Sequence, residues 1–183
     1  MHCKRIWEVS NKRGVTLTEL LVVIALVAIM ASISIPFLGG AISKSDLDNE
    51  TDFIAGTIMT SRIKAMEKGF PFRLDFDTTN KTFSCFGDRN SNGIKDDGEE
   101  VLGPYRLENR IVFGSGILTG PNNTTVPEDG ISLVDNRLSF NMLGSSNAGT
   151  IYLKNKARTA AIRVIPASGT VVCWVYDGNW RKR

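Results

Sequence analysis

The stretch DRNSNGIKDDGEE (88–100) sets five carboxylates and two asparagines within thirteen residues. From Asp88 through Gly93 to Glu99 it matches the spacing D-x-[DN]-x-[DN]-G-x5-E, in which alternate side chains offer hard oxygens to calcium. Calcium takes about six to eight oxygens from carboxylates, amides and backbone carbonyls. Asp88, Asn90, Asn92, the carbonyl of Ile94, Asp96 and a bidentate Glu99 are the candidate ligands, and Gly93 permits the sharp turn. The loop is net −3, so it repels itself without a counter-ion. The segments around it read as strands, not helices, and a cation here would order an exposed loop without catalysing anything. The competing reading is a solvated Asn/Asp/Gly loop that holds no metal. Nothing else in the sequence calls for a cofactor.

Other chemistry is limited by composition. The single histidine is His2. The body therefore has no imidazole for Ser-His or Cys-His nucleophilic catalysis, and almost no route to zinc catalysis. A membrane-anchored extracytoplasmic enzyme would have to rely on the Asp88–Glu99 acids, whose spacing suits calcium better. The C-terminal GNWRKR places Trp180 beside Arg181, Lys182 and Arg183. One reading is a solvated end with an aromatic docked on the fold. The other is a nucleic-acid contact, with the ring for stacking and the cations for phosphates. Net charge does not favour the second. The whole +3 lies in residues 1–14, and residues 15–183 carry 18 basic and 18 acidic side chains.

The elements that must position these groups begin with an apolar run. Residues 20–43 are 24 uncharged positions, preceded by Lys12, Arg13 and Glu19. A spanning helix needs about 20, and flanking cations keep their side of it in the cytoplasm. The reading is a single-pass segment over 15–42, a cytoplasmic stretch over 1–14, which the resemblance below makes a cleaved leader, and a body outside. Pro36 predicts a kink or local melting near 32–36, and Gly39-Gly40 adds weakness. Residues 43–69 then read as an amphipathic helix. Leu47, Ile54, Ala55, Ile58, Met59, Ile63 and Met66 form its apolar side, and Gly69 and Pro71 end it. One helix from about 16 to 68 is predicted. An extracytoplasmic body lies in an oxidising compartment, which predicts a Cys85–Cys173 disulfide, with two buried free thiols as the alternative.

Gly14, the start VTLTEL, an apolar run and a proline 22 positions after the glycine together resemble type IV prepilins and pseudopilins. The resemblance implies cleavage between Gly14 and Val15 by prepilin peptidase, and N-methylation of Val15. It also implies assembly of the hydrophobic half-helix with other pilin or pseudopilin subunits. Glu19 becomes the fifth mature residue, paired with the N-terminal amine of a neighbouring subunit, and Pro36 belongs to the same assembly segment. The location implied is the bacterial inner membrane with a periplasmic body, then a type II secretion pseudopilus or a type IV pilus. Where that family has phenylalanine, this chain has Val15.

Residues 70–183 read as an antiparallel β domain. Candidate strands are 70–77, 81–87, 101–107, 110–114, 130–134, 137–141, 150–155, 161–166 and 170–177, with turns at Asp135-Asn136 and Ala167-Ser168-Gly169. The segment 114–130 reads as a long polar loop, the least ordered part of the body. The fold class is α+β, a long N-terminal helix on antiparallel sheets. LSFNMLGSSNAGTIYLKN and AAIRVIPASGTVVCWV are similar to the GspH/FimT group of minor pilins, though Thr170 follows Gly169 where that group often has arginine. Some FimT-like proteins bind DNA through C-terminal basic motifs, which the tail resembles loosely. A structural subunit, a DNA-uptake subunit and an anchored enzyme are therefore the three functional readings, in that order.

Overall fold

The computed structural model describes residues 14–183, and for residues 33–38 only their backbone. The leader over 1–14, Gly14 apart, lies outside the described residues. The chain divides into two compact units, Met1–Gly39 and Gly40–Arg183.

Helix α1 is assigned over Leu17–Lys68. It keeps its helical assignment through 32–36, so the local melting expected at Pro36 does not occur. In the first unit, every large apolar side chain from Val15 to Met30 is more than half exposed. Among the described residues, no helix is long and apolar enough to cross a membrane. The described side chains of the apolar run stop at Ser32 and resume at Gly39.

In the second unit, the part of α1 after Gly40 buries one stripe. Leu47, Thr51, Ile54, Ile58, Ser61 and Ala65 are buried at alternating four- and three-residue spacings. The hydroxyls on that stripe are satisfied within the helix. Thr51 donates to the Leu47 carbonyl at 2.6 Å and Ser61 to the Thr57 carbonyl at 2.7 Å. Ile63 and Met66, expected on the buried side, are exposed, because they fall about a residue off the stripe.

Two antiparallel sheets meet this stripe. The first, in the order β3-β2-β1-β5, comprises β1 (Phe72–Asp77), β2 (Thr82–Gly87), β3 (Val101–Arg106) and β5 (Arg137–Phe140). The second, in the order β4-β6-β7-β8-β9, comprises β4 (Val112–Phe113), β6 (Gly149–Lys154), β7 (Thr159–Ile165), β8 (Thr170–Tyr176) and β9 (Trp180–Lys182). The core joins Leu47, Ile54 and Ile58 to Phe72, Leu74 and Phe83 of one sheet and to Ile151, Leu153 and Ile162 of the other. This is the expected α+β plan of a helix on antiparallel sheets.

Three local expectations are corrected. Residues 130–134 do not form a strand. Ile131 makes a single bridge to Ile151, and Asp135 and Asn136 then take left-handed backbone, φ 53° and 52°. That turn carries the chain from the second sheet to the first, where β5 pairs with β1, so it does not close a hairpin. The segment 114–130 is folded, not loose. Its ends are pinned by the Tyr152 backbone, which accepts from Gly114 N at 2.9 Å and donates to Gly130 O at 2.7 Å. Finally, residues 180–182 are a ninth strand, paired with β8.

Candidate functional site

The N-terminal group is built on the first turn of α1. Gly14 and Val15 are exposed and precede the helix. Thr16 is its N-cap: the Thr16 hydroxyl accepts from Glu19 N at 3.2 Å, and the Thr16 carbonyl takes the first helical bond, from Leu20 N. Thr16-x-x-Glu19 is the capping-box spacing. Sequence reasoning did not single out Thr16, although that spacing was there to find. Glu19 therefore has a role in its own chain, as an acid in the first turn where the helix dipole favours negative charge. Its carboxylate is exposed, close in sequence to the Gly14–Val15 bond. The Pro36 side chain lies outside the described residues.

The acidic loop does come together, but around donors. Asp88 is fully buried. One of its oxygens accepts from Arg73 Nε at 2.5 Å and from Gly93 N at 2.9 Å, and the other from Asn92 N at 3.0 Å. Burial pushes its carboxyl up, yet the guanidinium and the backbone N–H groups outweigh burial and hold it below the usual carboxylate range. Asn90 and Asn92 turn their NH2 groups onto Asp96, at 2.7 and 2.8 Å. Glu99 accepts from the Arg89 and Asp96 N–H groups at 2.9 and 3.1 Å. Arg137 donates to the Gly93 carbonyl at 2.7 Å while gripping Asp75, its register partner across the sheet. Ile94 is exposed, and its N–H goes to Asn92.

This donor set does not fit calcium as arranged. The Asp88 oxygens are occupied, and the amides present nitrogen, not oxygen, to Asp96. Among the described residues, no group of three or more His, Cys, Asp and Glu is placed to hold a metal. The counter-ions that the −3 loop requires are Arg73 and Arg137, from β1 and β5. Sequence reasoning missed both, because strand pairing brings them in from outside the loop.

The two body cysteines are free thiols, which corrects the expected Cys85–Cys173 disulfide. They lie on different sheets. Cys85 meets the Ser61 hydroxyl at 2.9 Å, whereas Cys173 sits in the field of Asp52 and Arg183. Ser61 and Asp52 are nine residues apart on α1, about 13 Å of helix rise. Burial pushes the Cys85 thiol up to about 11, despite its Ser61 contact, so it is protonated and unreactive at neutral pH.

The C-terminal group has a docked aromatic and exposed cations. Trp180 packs edge-on against Tyr152 and Tyr176, and its indole N–H donates to the Thr119 carbonyl at 3.0 Å. Arg183 pairs with Asp52 at 2.9 Å and Asp48 at 3.3 Å on α1. Of the four residues considered for nucleic acid, only Arg181 and Lys182 present their charge freely to solvent. The docked aromatic and the solvent-exposed cations are both as expected, and the tail is in addition a strand.

Residues 9–35 match the family model of the prokaryotic N-terminal methylation motif. No curated protein matches the chain. Two solved structures of the minor pseudopilin EpsH from the type II secretion system of Vibrio cholerae are similar to it. One is 10% identical and covers 70% of this chain and 95% of its own, with a TM-score of 0.48. The other is 11% identical and covers 71% and 96%, with a TM-score of 0.48. Gly14, Val15 and Glu19 all fall inside the residues that match the prokaryotic N-terminal methylation motif.

Proposed function

We propose that the chain is a non-enzymatic minor pilin or pseudopilin, a structural subunit of a type II secretion pseudopilus or a type IV pilus. The observation that carries this reading is the methylation motif over residues 9–35. Exposure of the Gly14–Val15 bond ahead of a capped helix supports it. Prepilin peptidase cuts between Gly14 and Val15, and Val15 is then methylated. The uncharged run anchors the chain in the inner membrane with the body in the periplasm. Other subunits are its partners in assembly. Glu19, stabilised in its own chain by the helix start, meets the new α-amino group of a neighbour.

Processing of a Gly14→Ala chain by prepilin peptidase tests the first step. The cleaved product should vanish, and normal cleavage of that variant overturns the reading. Glu19→Gln should leave cleavage intact and impair filament incorporation. Thr16→Val, which loosens the cap by about 1 kcal/mol without removing charge, should incorporate nearly normally.

A further inference from the structure

The geometry points to a binding site for the anionic headgroup of a phospholipid in the cavity of about 510 Å³ lined by Ser43, Asn109, Arg110, Asn155 and Lys156. Among the described residues its lining holds two cations, two amides and a hydroxyl, and no carboxylate. Arg110 and Lys156 are exposed, and neither makes an ion pair among the described residues. Arg158, the other cation of the β6–β7 turn, is already held by Asp48 and the Lys44 carbonyl. Two cations beside amide donors suit a phosphodiester, whose oxygens accept from both.

The cavity's place along the chain selects the source of that phosphate. Ser43 is the last residue of the uncharged run. The Asn155 amide is anchored to its carbonyl at 2.5 Å, and Arg158 to the next carbonyl at 2.9 Å. The cavity is thus bolted to the end of the run. A run of 24 residues exceeds the about 20 that cross hydrocarbon, so its last residues emerge at headgroup level. This step rests on the membrane anchoring proposed above. Each exposed cation paired with a lipid phosphate contributes about 1 kcal/mol, so it strengthens binding by about fivefold and a pair by about thirtyfold.

The test is calorimetric titration of the full chain in a neutral detergent. The probes are dihexanoyl-phosphatidylglycerol, its phosphatidylcholine counterpart and inorganic phosphate. Phosphatidylglycerol should bind. The Arg110→Gln and Lys156→Gln variants should each bind about fivefold more weakly and the double variant about thirtyfold, with an unchanged thermal midpoint showing an intact fold. No binding, undiminished binding by the double variant, or equal binding of phosphatidylcholine overturns the site. Inorganic phosphate binding as tightly as the lipid overturns the lipid assignment. Peptidase processing does not enter this titration. A processed chain that ignores phosphatidylglycerol therefore sinks only this inference, and an unprocessed chain that binds it sinks only the filament reading.

Discussion

Arg73 Nε lies 2.5 Å from a carboxylate oxygen of Asp88, and that pair sits at the root of the 88–100 loop. The Asp88 side chain is fully buried, while Arg73 keeps about a fifth of its own exposed. Removing one partner of a buried pair leaves the other uncompensated, at about 3–5 kcal/mol. Arg73→Ala should therefore lower the unfolding free energy from urea titration by that order and speed amide exchange across 88–99. Calcium or a chelator should leave the thermal midpoint of the unmodified chain within about 1 °C, since about 1 kcal/mol moves a domain of this size by about 2–4 °C. A calcium-dependent rise of several degrees would restore the metal reading.

The same pair sets an acid limb. Asp88 is held below its ordinary value in the folded chain, so the folded state keeps it ionised more readily than the unfolded state does. Its contribution is complete above the unfolded carboxylate pKa of about 3.9 and is lost as pH falls below that value. The unfolding free energy should fall more steeply between about pH 4 and pH 2.5 in the parent than in Asp88→Asn, whose side chain cannot titrate. Parallel curves in that window would remove Asp88 from the account.

Gly130 closes the 114–130 loop against Gly114. A Cβ on Gly130 would sit 2.2 Å from Gly114 N, and its φ is +80°. Gly98 has a similar φ, +86°, but no atom within 4 Å of such a Cβ. Gly98→Ala thus reports left-handed backbone alone, about 1 kcal/mol. Gly130→Ala adds a backbone clash that no rotamer relieves and should cost about 2 kcal/mol more. Denaturant midpoints of the two variants separate the effects. Equal losses would show that the loop ends can part.

The fold was legible where the pattern was long and apolar, and obscure where pairing decided. The strand around Phe72 alternates clearly enough to be read, and those around Ile151 and Ile162 show as short apolar runs between turn signals. Thr51 and Ser61 were missed on the buried stripe because hydropathy does not register that a hydroxyl can bond back to its own helix. Residues 130–134 have the composition of a strand but make only one bridge. Trp180–Lys182 is too short to show a period and exists because β8 offers it an edge. At the sites, Gly14, Val15 and Glu19 belong to a local pattern, which the methylation-motif match over 9–35 also covers. Arg73 and Arg137 could not, since nothing near residue 88 reveals which strand will lie beside it. The disulfide inference failed for the same reason: a compartment argument carries no distance.

The thiols are the next test of that geometry. With Cys85 buried and Cys173 on the other sheet, an oxidised sample should show both alkylated after denaturation without reductant, and reductant should not shift the unfolding midpoint. Under native conditions Cys173 should label faster than Cys85, whose protonated thiol is shielded by Ser61. A Cys85–Cys173 cross-linked peptide by mass spectrometry would contradict the arrangement.

The tail separates the two readings of its cations. Trp180 is fixed by two tyrosines and the Thr119 carbonyl, and Arg183 ties the end of the chain to Asp48 and Asp52 of α1. Trp180→Ala removes a packed aromatic and should destabilise by about 2–3 kcal/mol, below the about 3–5 kcal/mol of core aromatics because the site is partly open. Arg183→Ala loses exposed pairs and should cost about 1 kcal/mol. Arg181→Ala with Lys182→Ala should change stability by less than about 0.5 kcal/mol. If the tail served nucleic acid, that neutral pair would be the phosphate contact, and its removal should abolish a low-salt mobility shift of a DNA duplex. The inward turn of Trp180 and Arg183 leaves too little for such a contact, so the full chain should give no shift at about 50 mM salt. A shift that disappears in the Arg181/Lys182 double variant, with the thermal midpoint unchanged, would reinstate the DNA-uptake reading over a purely structural tail.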